Sequence, residues 1–263
     1  ATPRLREAFT RATARWSQVI VGDMGNTIIN ATAGECQGWM PALRETVNDL
    51  VVYVRATKID GPNNVVAQAS PCYVSSETRL PILGYFELDS DDVELLVNRA
   101  VLDDVVLHEL GHVLGIGTMW NYRRALLTGT GTDDPFFNGS GARAAFLTSG
   151  GAQHDGTPVP VENTGNQGMR DAHWRTSVFG NELMQGVVQP GGMPLSSVTI
   201  ASLGDLGYTV SLAAADGFSL NSALRTRTNV TSSAERLPLG HDVVQGPLFE
   251  VDRGGAKRRI APH

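Results

Sequence analysis

Apolar residues near the start of the chain recur at helical spacing. They lie three or four positions apart and line one face of a helix predicted over residues 4–20: Leu5, Phe9, Ala12, Trp16 and Val19. Short apolar runs follow, and they predict strands over residues 50–54, 65–69 and 82–88. The first part of the chain is therefore predicted to be a helix followed by a small sheet.

Two further helical patterns lie later in the chain, separated by irregular sequence. A helix is predicted over residues 103–114, with acidic residues in its first turn and with Gly115 and Gly117 closing it. Residues 128–166 are dense in Gly, Thr, Asp, Asn and Pro and are predicted to be irregular. A last helix is predicted over residues 197–206, where Gly207 ends it.

These elements predict an α+β fold. The tail beyond Asp216 has no clear periodicity, and the sequence shows neither internal repeats nor a linker rich in Pro or Ser. We therefore expect one domain made of two parts. The first spans residues 1–117 and ends with the helix, and the second spans residues 118–263 and contains the late helix and an extended tail.

Composition excludes several classes of protein. The 263 residues are 41% hydrophobic and only 18% charged, which does not fit a coiled coil or a disordered acidic chain. The net charge of −6 gives no basic footprint for nucleic acid, and the basic run at residues 257–259 is expected to be a solvated tail. No apolar run approaches the roughly 20 residues that span a bilayer.

The cysteines and the start of the chain bear on its cellular setting. Cys36 and Cys72 lack the spacing of a redox or zinc motif. A disulfide between them would close a 36-residue loop and stabilise the fold by roughly 3–4 kcal/mol, and two free buried thiols are the alternative. Nothing near Ala1 resembles a signal peptide, so we expect a processed chain whose leader or pro-segment is out of view.

A metal-binding motif lies in the second predicted helix. His108-Glu109-Leu110-Gly111-His112 places two histidines four positions apart, so both imidazoles can reach one ion from one helix face. Glu109 is then placed to act as a general base on a water molecule at that ion. The flanking residues are apolar, and burying these polar groups without a shared partner would be costly. A metal site follows, and zinc fits its imidazole donors best.

A third ligand must come from elsewhere in the chain. Gly115 lets the chain turn sharply away from the helix, so a distant segment can supply it. The remaining histidines are the candidates: His154, His173, His241 and His263. The first lies in a polar loop and the last two in the irregular tail or at its end. His173 is favoured because the large side chain of Trp174 can hold its ring in place.

At this point the sequence resembles the metzincin metalloproteases, and among them the leishmanolysin family. Most metzincins place the third histidine three residues after the glycine, where this chain has Thr118. The leishmanolysin pattern carries a long insertion, here residues 116–172, and then resumes with a His-Trp pair and a Glu-Leu-Met run. The matching residues are His173-Trp174 and Glu182-Leu183-Met184.

The resemblance implies a zincin-like fold with a small twisted sheet and an active-site helix, and it implies roles for individual residues. His108, His112 and His173 become the Zn²⁺ ligands, Glu109 the general base, and Met184 the turn beneath the metal. The segment after Met184 would wall the substrate site: Gln185, Gly186, Val187 and Val188. Substrate would pair with a strand such as residues 82–88 by β-addition.

The implied function is a secreted, monomeric zinc endopeptidase that hydrolyses internal peptide bonds of protein substrates. An inhibitory pro-segment outside this chain is expected, whereas membrane anchoring is not, because this chain has few cysteines and a short region after Met184. Two alternatives stay open. One is a zinc hydrolase with Glu162 or Glu182 as third ligand, and the other is a non-catalytic, zinc-stabilised adhesin or scaffold.

Calcium is a further candidate cofactor. Acidic groups at residues 89–92 and 133–134 could bind a structural Ca²⁺ ion, with solvated turns or helix starts as the alternative.

Overall fold

Helices and strands are mixed along the chain, which confirms the α+β prediction. The structure is a computed structural model, and it describes residues 3–122, 125–154, 158–166, 168–220, 236–239, 242–244 and 246–260. Within these ranges the helices are α1 Pro3–Val19, α2 Val93–Asn98, α3 Leu102–Val113, α4 Ser140–Thr148, α5 Thr176–Phe179 and α6 Ser197–Leu206. None of them is long and apolar enough to cross a membrane.

The strands group into one larger sheet and several short pairings. They are β1 Thr27–Ala31, β2 Leu43–Val47, β3 Val51–Thr57, β4 Ala67–Ser75, β5 Pro81–Asp89, β6 Leu127–Thr128, β7 Phe136–Phe137, β8 Val159–Pro160, β9 Val187–Val188, β10 Leu237–Pro238, β11 Leu248–Val251 and β12 Lys257–Ile260. The predicted helices over residues 4–20, 103–114 and 197–206 correspond to α1, α3 and α6, each within a residue or two at both ends.

The main sheet has the strand order β12-β11-β4-β5-β3. Strands β3 and β5 are parallel, β4 is antiparallel to β5, and β11 runs parallel to β4. All nine residues of β5 are buried between its two neighbours. The expectation that a substrate pairs with residues 82–88 is therefore wrong, because this strand has no free edge.

Helix α3 packs directly on this sheet, and α1 packs on α3. A Cβ on Gly84 of β5 would lie 2.5 Å from Val113 Cγ1, so the helix reaches the sheet only because this position is glycine. On the other side, Trp16 Nε1 donates to the carbonyl of Leu107 at 3.0 Å. Sheet, α3 and α1 thus enclose one continuous apolar core and hold the central helix rigidly.

The segment predicted to be irregular, residues 128–166, contains helix α4 and the small β6-β7-β8 sheet. The prediction was wrong here because the cap of α4 is tertiary. The carboxylate of Asp205, on α6, accepts from the backbone N–H groups of Gly141 and Ala142 at 2.9 Å each. Those donors would otherwise lack partners at the start of the helix, and no local residue signals the cap.

The tail also has structure that its sequence pattern did not predict. Strands β11 and β12 pair with each other and extend the sheet beyond β4. The basic run at residues 257–259 is exposed, as expected, but it belongs to strand β12 rather than to an irregular tail. Lys257 Nζ donates to Glu35, and Arg258 Nε donates to Glu250 at 2.7 Å. The division of the domain at residue 117 stays a prediction, although the last strands complete the sheet of the first part.

A disulfide joins Cys36 to Cys72, which confirms that pairing. It ties the loop between β1 and β2 to the middle of β4, and both cysteines lie in a second apolar cluster on that side of the sheet. The bond therefore fixes the β1-β2 hairpin to the main sheet.

Candidate metal centre

Helix α3 brings two imidazoles and a carboxylate to one buried place. His108 and His112 lie one turn apart, and both are completely buried, as is Glu109. After the helix, Gly115 has a φ of 112° and Gly117 a φ of 74°. These left-handed conformations favour glycine, so the chain turns away from the helix where the sequence predicts it.

His173 reaches α3 through a close approach of two backbones. A Cβ on Gly117 would overlap the carbonyl oxygen of Ala172, so only glycine lets the segment before His173 come this near. Trp174 is completely buried, and its Nε1 donates to Thr199 Oγ1 at 2.8 Å. The tryptophan thereby anchors the segment that presents His173. That Trp174 holds the ring itself stays a prediction.

The three imidazoles point their Nε2 atoms at one another. The Nε2 distances are 2.9 Å for His108–His112, 3.1 Å for His112–His173 and 3.2 Å for His108–His173. Two nitrogens bound to one tetrahedral Zn²⁺ ion at about 2.0–2.1 Å lie about 3.3 Å apart. The observed spacing is thus close to that of three ligands sharing one ion.

The other ring nitrogen of each histidine has a backbone partner. Nδ1 of His108, His112 and His173 lies 2.7, 2.8 and 2.9 Å from the carbonyls of Leu183, Ile116 and Met169, respectively. If each Nδ1 carries the proton and donates it to its carbonyl, each Nε2 lone pair is left free for a metal. Such outer hydrogen bonds fix the tautomer and the orientation of metal-binding histidines.

Asp242 joins this cluster, and sequence reasoning missed it. Its Oδ2 atom lies 3.0 Å from His173 Nε2, 3.3 Å from His108 Nε2 and 3.7 Å from His112 Nε2. The carboxylate is completely buried, and its Oδ1 accepts from the N–H of Val243 at 2.9 Å. Its only sequence signal is a lone acidic residue before two valines in the irregular tail.

Within the described ranges, these four side chains form the one group of three or more histidine, cysteine or acidic residues whose donor atoms converge. The donor atoms of His108, His112, His173 and Asp242 all lie within 4.8 Å of one another. His154 ends a 3₁₀ turn and does not join the group, while His241 and His263 lie outside the described residues.

Burial controls the charge of these groups. It lowers the pKa of His108 to about 4 and also lowers the pKa of His112, so both rings are neutral near pH 7, as metal binding requires. Burial acts in the same direction on His173, but the Asp242 carboxylate outweighs it and raises the pKa of that ring. Burial, aided by the charge of Asp242, raises the pKa of Glu109 well above its usual range.

Glu109 makes no hydrogen bond with the described residues that would account for its burial. Both carboxylate oxygens are buried, and neither has a hydrogen-bond partner among the described residues. A buried carboxyl group left in this way destabilises the fold, so its presence calls for a role outside the fold itself. A carboxyl group one residue after a metal ligand has such a role when it handles the proton of an attacking water molecule.

Met184 lies directly under the helix that carries the histidines. A Cβ on Gly111, between the two helical histidines, would lie 2.8 Å from Met184 Sδ. The turn is held by Glu182, whose carboxylate accepts from Met184 N at 2.6 Å and from Ser196 Oγ at 2.8 Å. The sulfur thus packs against the floor of the site, where the resemblance places it.

The rival acidic ligands are engaged elsewhere. Glu182 accepts hydrogen bonds from Met184 N and from Ser196 at the start of α6. Glu162 accepts from Thr164 N, Thr164 Oγ1 and Thr176 N. Neither joins the convergent group. Among the acidic residues considered for Ca²⁺, Asp89 accepts backbone N–H groups of residues 59–61, and Asp134 pairs with Arg175 at 2.8 Å. Calcium binding stays a prediction.

Comparison with known protein families identifies the family of this chain. The family model for leishmanolysin matches residues 40–220. The chain belongs to the leishmanolysin family. The matched range of this leishmanolysin-family chain covers α3, His173 and Met184, whereas Asp242 lies beyond it. No curated protein matches the chain significantly. Leishmanolysins are metallopeptidases, so the family and the buried group of histidines and aspartate agree on a metal-dependent hydrolase.

Proposed function

We propose that this chain is a zinc-dependent endopeptidase that hydrolyses internal bonds of proteins. The convergence of three Nε2 atoms, each on a ring oriented by a backbone carbonyl, carries this proposal. His108, His112 and His173 would hold the ion, which when bound polarises the scissile carbonyl and lowers the pKa of water. Imidazole donors at this spacing fit Zn²⁺.

Glu109 supplies the proton chemistry. The carboxylate takes a proton from the attacking water and then gives it to the leaving amine. Burial raises its pKa, which brings its proton affinity closer to that of its reaction partners near neutral pH. The unpartnered carboxylate oxygens are free to perform both transfers.

The segment after Met184 would bind the substrate: Gln185, Gly186, Val187 and Val188 follow the turn beneath the site. A peptide would pair with the backbone of β9 in place of β10. Secretion fits the Cys36–Cys72 disulfide, since such bonds persist in oxidising compartments. Protein substrates fit the family. We also propose that the chain acts as a monomer.

The test is casein cleavage by the wild type and by Glu109→Gln at matched zinc content, with Glu94→Gln as control. Glu94 is exposed on α2, so its replacement makes the same chemical change away from the site. Loss of the base should lower the rate by about 10²–10⁴-fold while zinc stays bound. A measurable rate of cleavage that is equal in Glu109→Gln and the wild type would refute the role of Glu109.

A zinc-stabilised, non-catalytic scaffold is the second candidate. It is favoured by Asp242, because three histidines and a carboxylate make the closed, four-donor set of a structural zinc site. Glu109 argues against a scaffold, since a structural metal ion needs no buried, unpartnered carboxylate beside it. The two candidates differ in whether any form of the protein cleaves casein.

A further inference from the structure

Asp242 lies at the place where the fourth coordination position of a catalytic metal ion would be. A catalytic zinc ion has three protein ligands and leaves its fourth position to water or substrate. Here Asp242 Oδ2 lies 3.0–3.7 Å from all three Nε2 atoms, the spacing of a fourth donor. The side chain is fully buried, so solvent does not compete for this place.

The backbone around Asp242 connects β9, which is proposed to bind the substrate, with β4 of the main sheet. We call the described residues 236–239 and 242–244 together the strap. On one side, β10 pairs antiparallel with β9, and Leu239 N donates to the carbonyl of Gly186 at 3.1 Å. On the other side, the carbonyl of Asp242 accepts from Ala69 N of β4 at 2.9 Å.

The strap is also held by apolar contacts and by the sheet. Leu237 and Leu239 are 5% and 0% exposed, so the strap is packed into the protein rather than laid over it. The chain then continues into β11, which pairs with β4 at residues 73–75. The edge of β4 and the proposed wall at β9, both of which could pair with a peptide, are therefore occupied by this chain.

We propose that this structure is a latent form of the enzyme, in which Asp242 is the fourth metal ligand and the strap fills the substrate cleft. The inference rests on the proposed peptidase function. Substrate enters only after the strap leaves β9 and β4 and the carboxylate leaves the metal. Latency is therefore built into the chain, and activation requires a change at the strap.

The test uses the full chain loaded with Co²⁺, whose visible spectrum reports coordination, and acetohydroxamate as a small metal-binding probe. We compare the wild type with Asp242→Ala and with Asp242→Asn, which keeps the side-chain volume and the acceptor for Val243 N. The control is Asp252→Ala. Asp252 is exposed in the turn between β11 and β12 and does not contact the cleft.

Latency predicts that Asp242→Ala alters the Co²⁺ spectrum and lowers the hydroxamate dissociation constant at least tenfold. Asp242→Asn should shift both in the same direction, which keeps the test valid if the alanine variant does not fold. The control should match the wild type. Identical spectra and hydroxamate affinities in the wild type and both Asp242 variants would overturn the proposal.

Casein cleavage by the same proteins separates this inference from the proposed function. Faster cleavage by the Asp242 variants, abolished by adding Glu109→Gln, supports both. Hydroxamate access without cleavage by any variant would refute the peptidase but keep the strap as the barrier to the metal. Cleavage by the wild type at the rate of Asp242→Ala, with unchanged spectra, would refute latency and keep the peptidase.

Discussion

Gly117→Ala tests whether a single close approach positions the third histidine. An added Cβ would overlap the carbonyl oxygen of Ala172 and lie 2.9 Å from its carbonyl carbon and Cα. All three are backbone atoms, so no flexible side chain can yield. The carbonyl must retreat by about 1 Å to reach ordinary contact, and it precedes His173 directly.

The expected cost has two parts. The left-handed backbone, with a φ of 74°, disfavours any Cβ by about 1–2 kcal/mol. Relieving the clash adds about 1–3 kcal/mol, as in other overpacked sites. Metal–ligand distances tolerate only about 0.2 Å, so displacing His173 should weaken zinc binding at least about tenfold.

The control for this change is Gly131→Ala. Gly131 has a φ of 75°, but nothing lies within 4 Å of its added Cβ, so it carries the backbone penalty without the clash. Zinc affinity is measured by competition with a chromophoric chelator, and stability by urea unfolding in EDTA. If the two variants bind zinc equally, the close approach at Gly117 does not position His173.

Three further predictions concern stability. Replacing Cys36 and Cys72 by alanine should lower the free energy of unfolding by about 4 kcal/mol, measured in urea, because the bond closes a 36-residue loop. Glu182→Gln should lower the free energy of unfolding by about 1–3 kcal/mol, because an NH₂ group replaces one of the two carboxylate oxygens that accept buried hydrogen bonds. An unchanged urea midpoint would contradict this. Burial raises the pKa of Asp104 to about 6, so the folded state binds its proton more tightly than the unfolded state, and stability should fall as the pH rises from about 4 to 6. Asp104→Asn should remove this fall, which is at most about 3 kcal/mol at about 1.36 kcal/mol per pKa unit.

The parts of the fold predicted from sequence are those that local pattern determines. Helix α6 was predicted with its bounds because Gly207 marks its end, and in the structure Gly207 has a φ of 115°. Ser196, which the sequence analysis did not use, caps its start. Helix α3 and its imidazole pair follow from spacing on one helix in the same way. The start of α4 was not predicted, because its cap is a carboxylate from α6, 63 residues later in the chain.

The residues of the site likewise differ in whether local sequence reveals them. His173 could be found because Trp174 beside it and Met184 after it form a recognisable run. Asp242 could not, because its role comes from the pairing of the strap with β9 and β4, and pairing partners so far apart in sequence leave no periodic signal. Sequence reasoning thus identified the three histidines that converge but missed Asp242, the carboxylate that joins them.

The parallel pairing of β11 with β4 has a consequence for synthesis. Phe249 lies opposite Tyr73, about 175 residues earlier in the chain. At roughly 5–20 residues per second, the ribosome delivers the partner of β4 about 9–35 seconds after β4 itself. During that interval β4 exposes a row of unpaired amide and carbonyl groups to other nascent chains. The yield of folded protein is therefore expected to depend on expression rate and on chaperone supply.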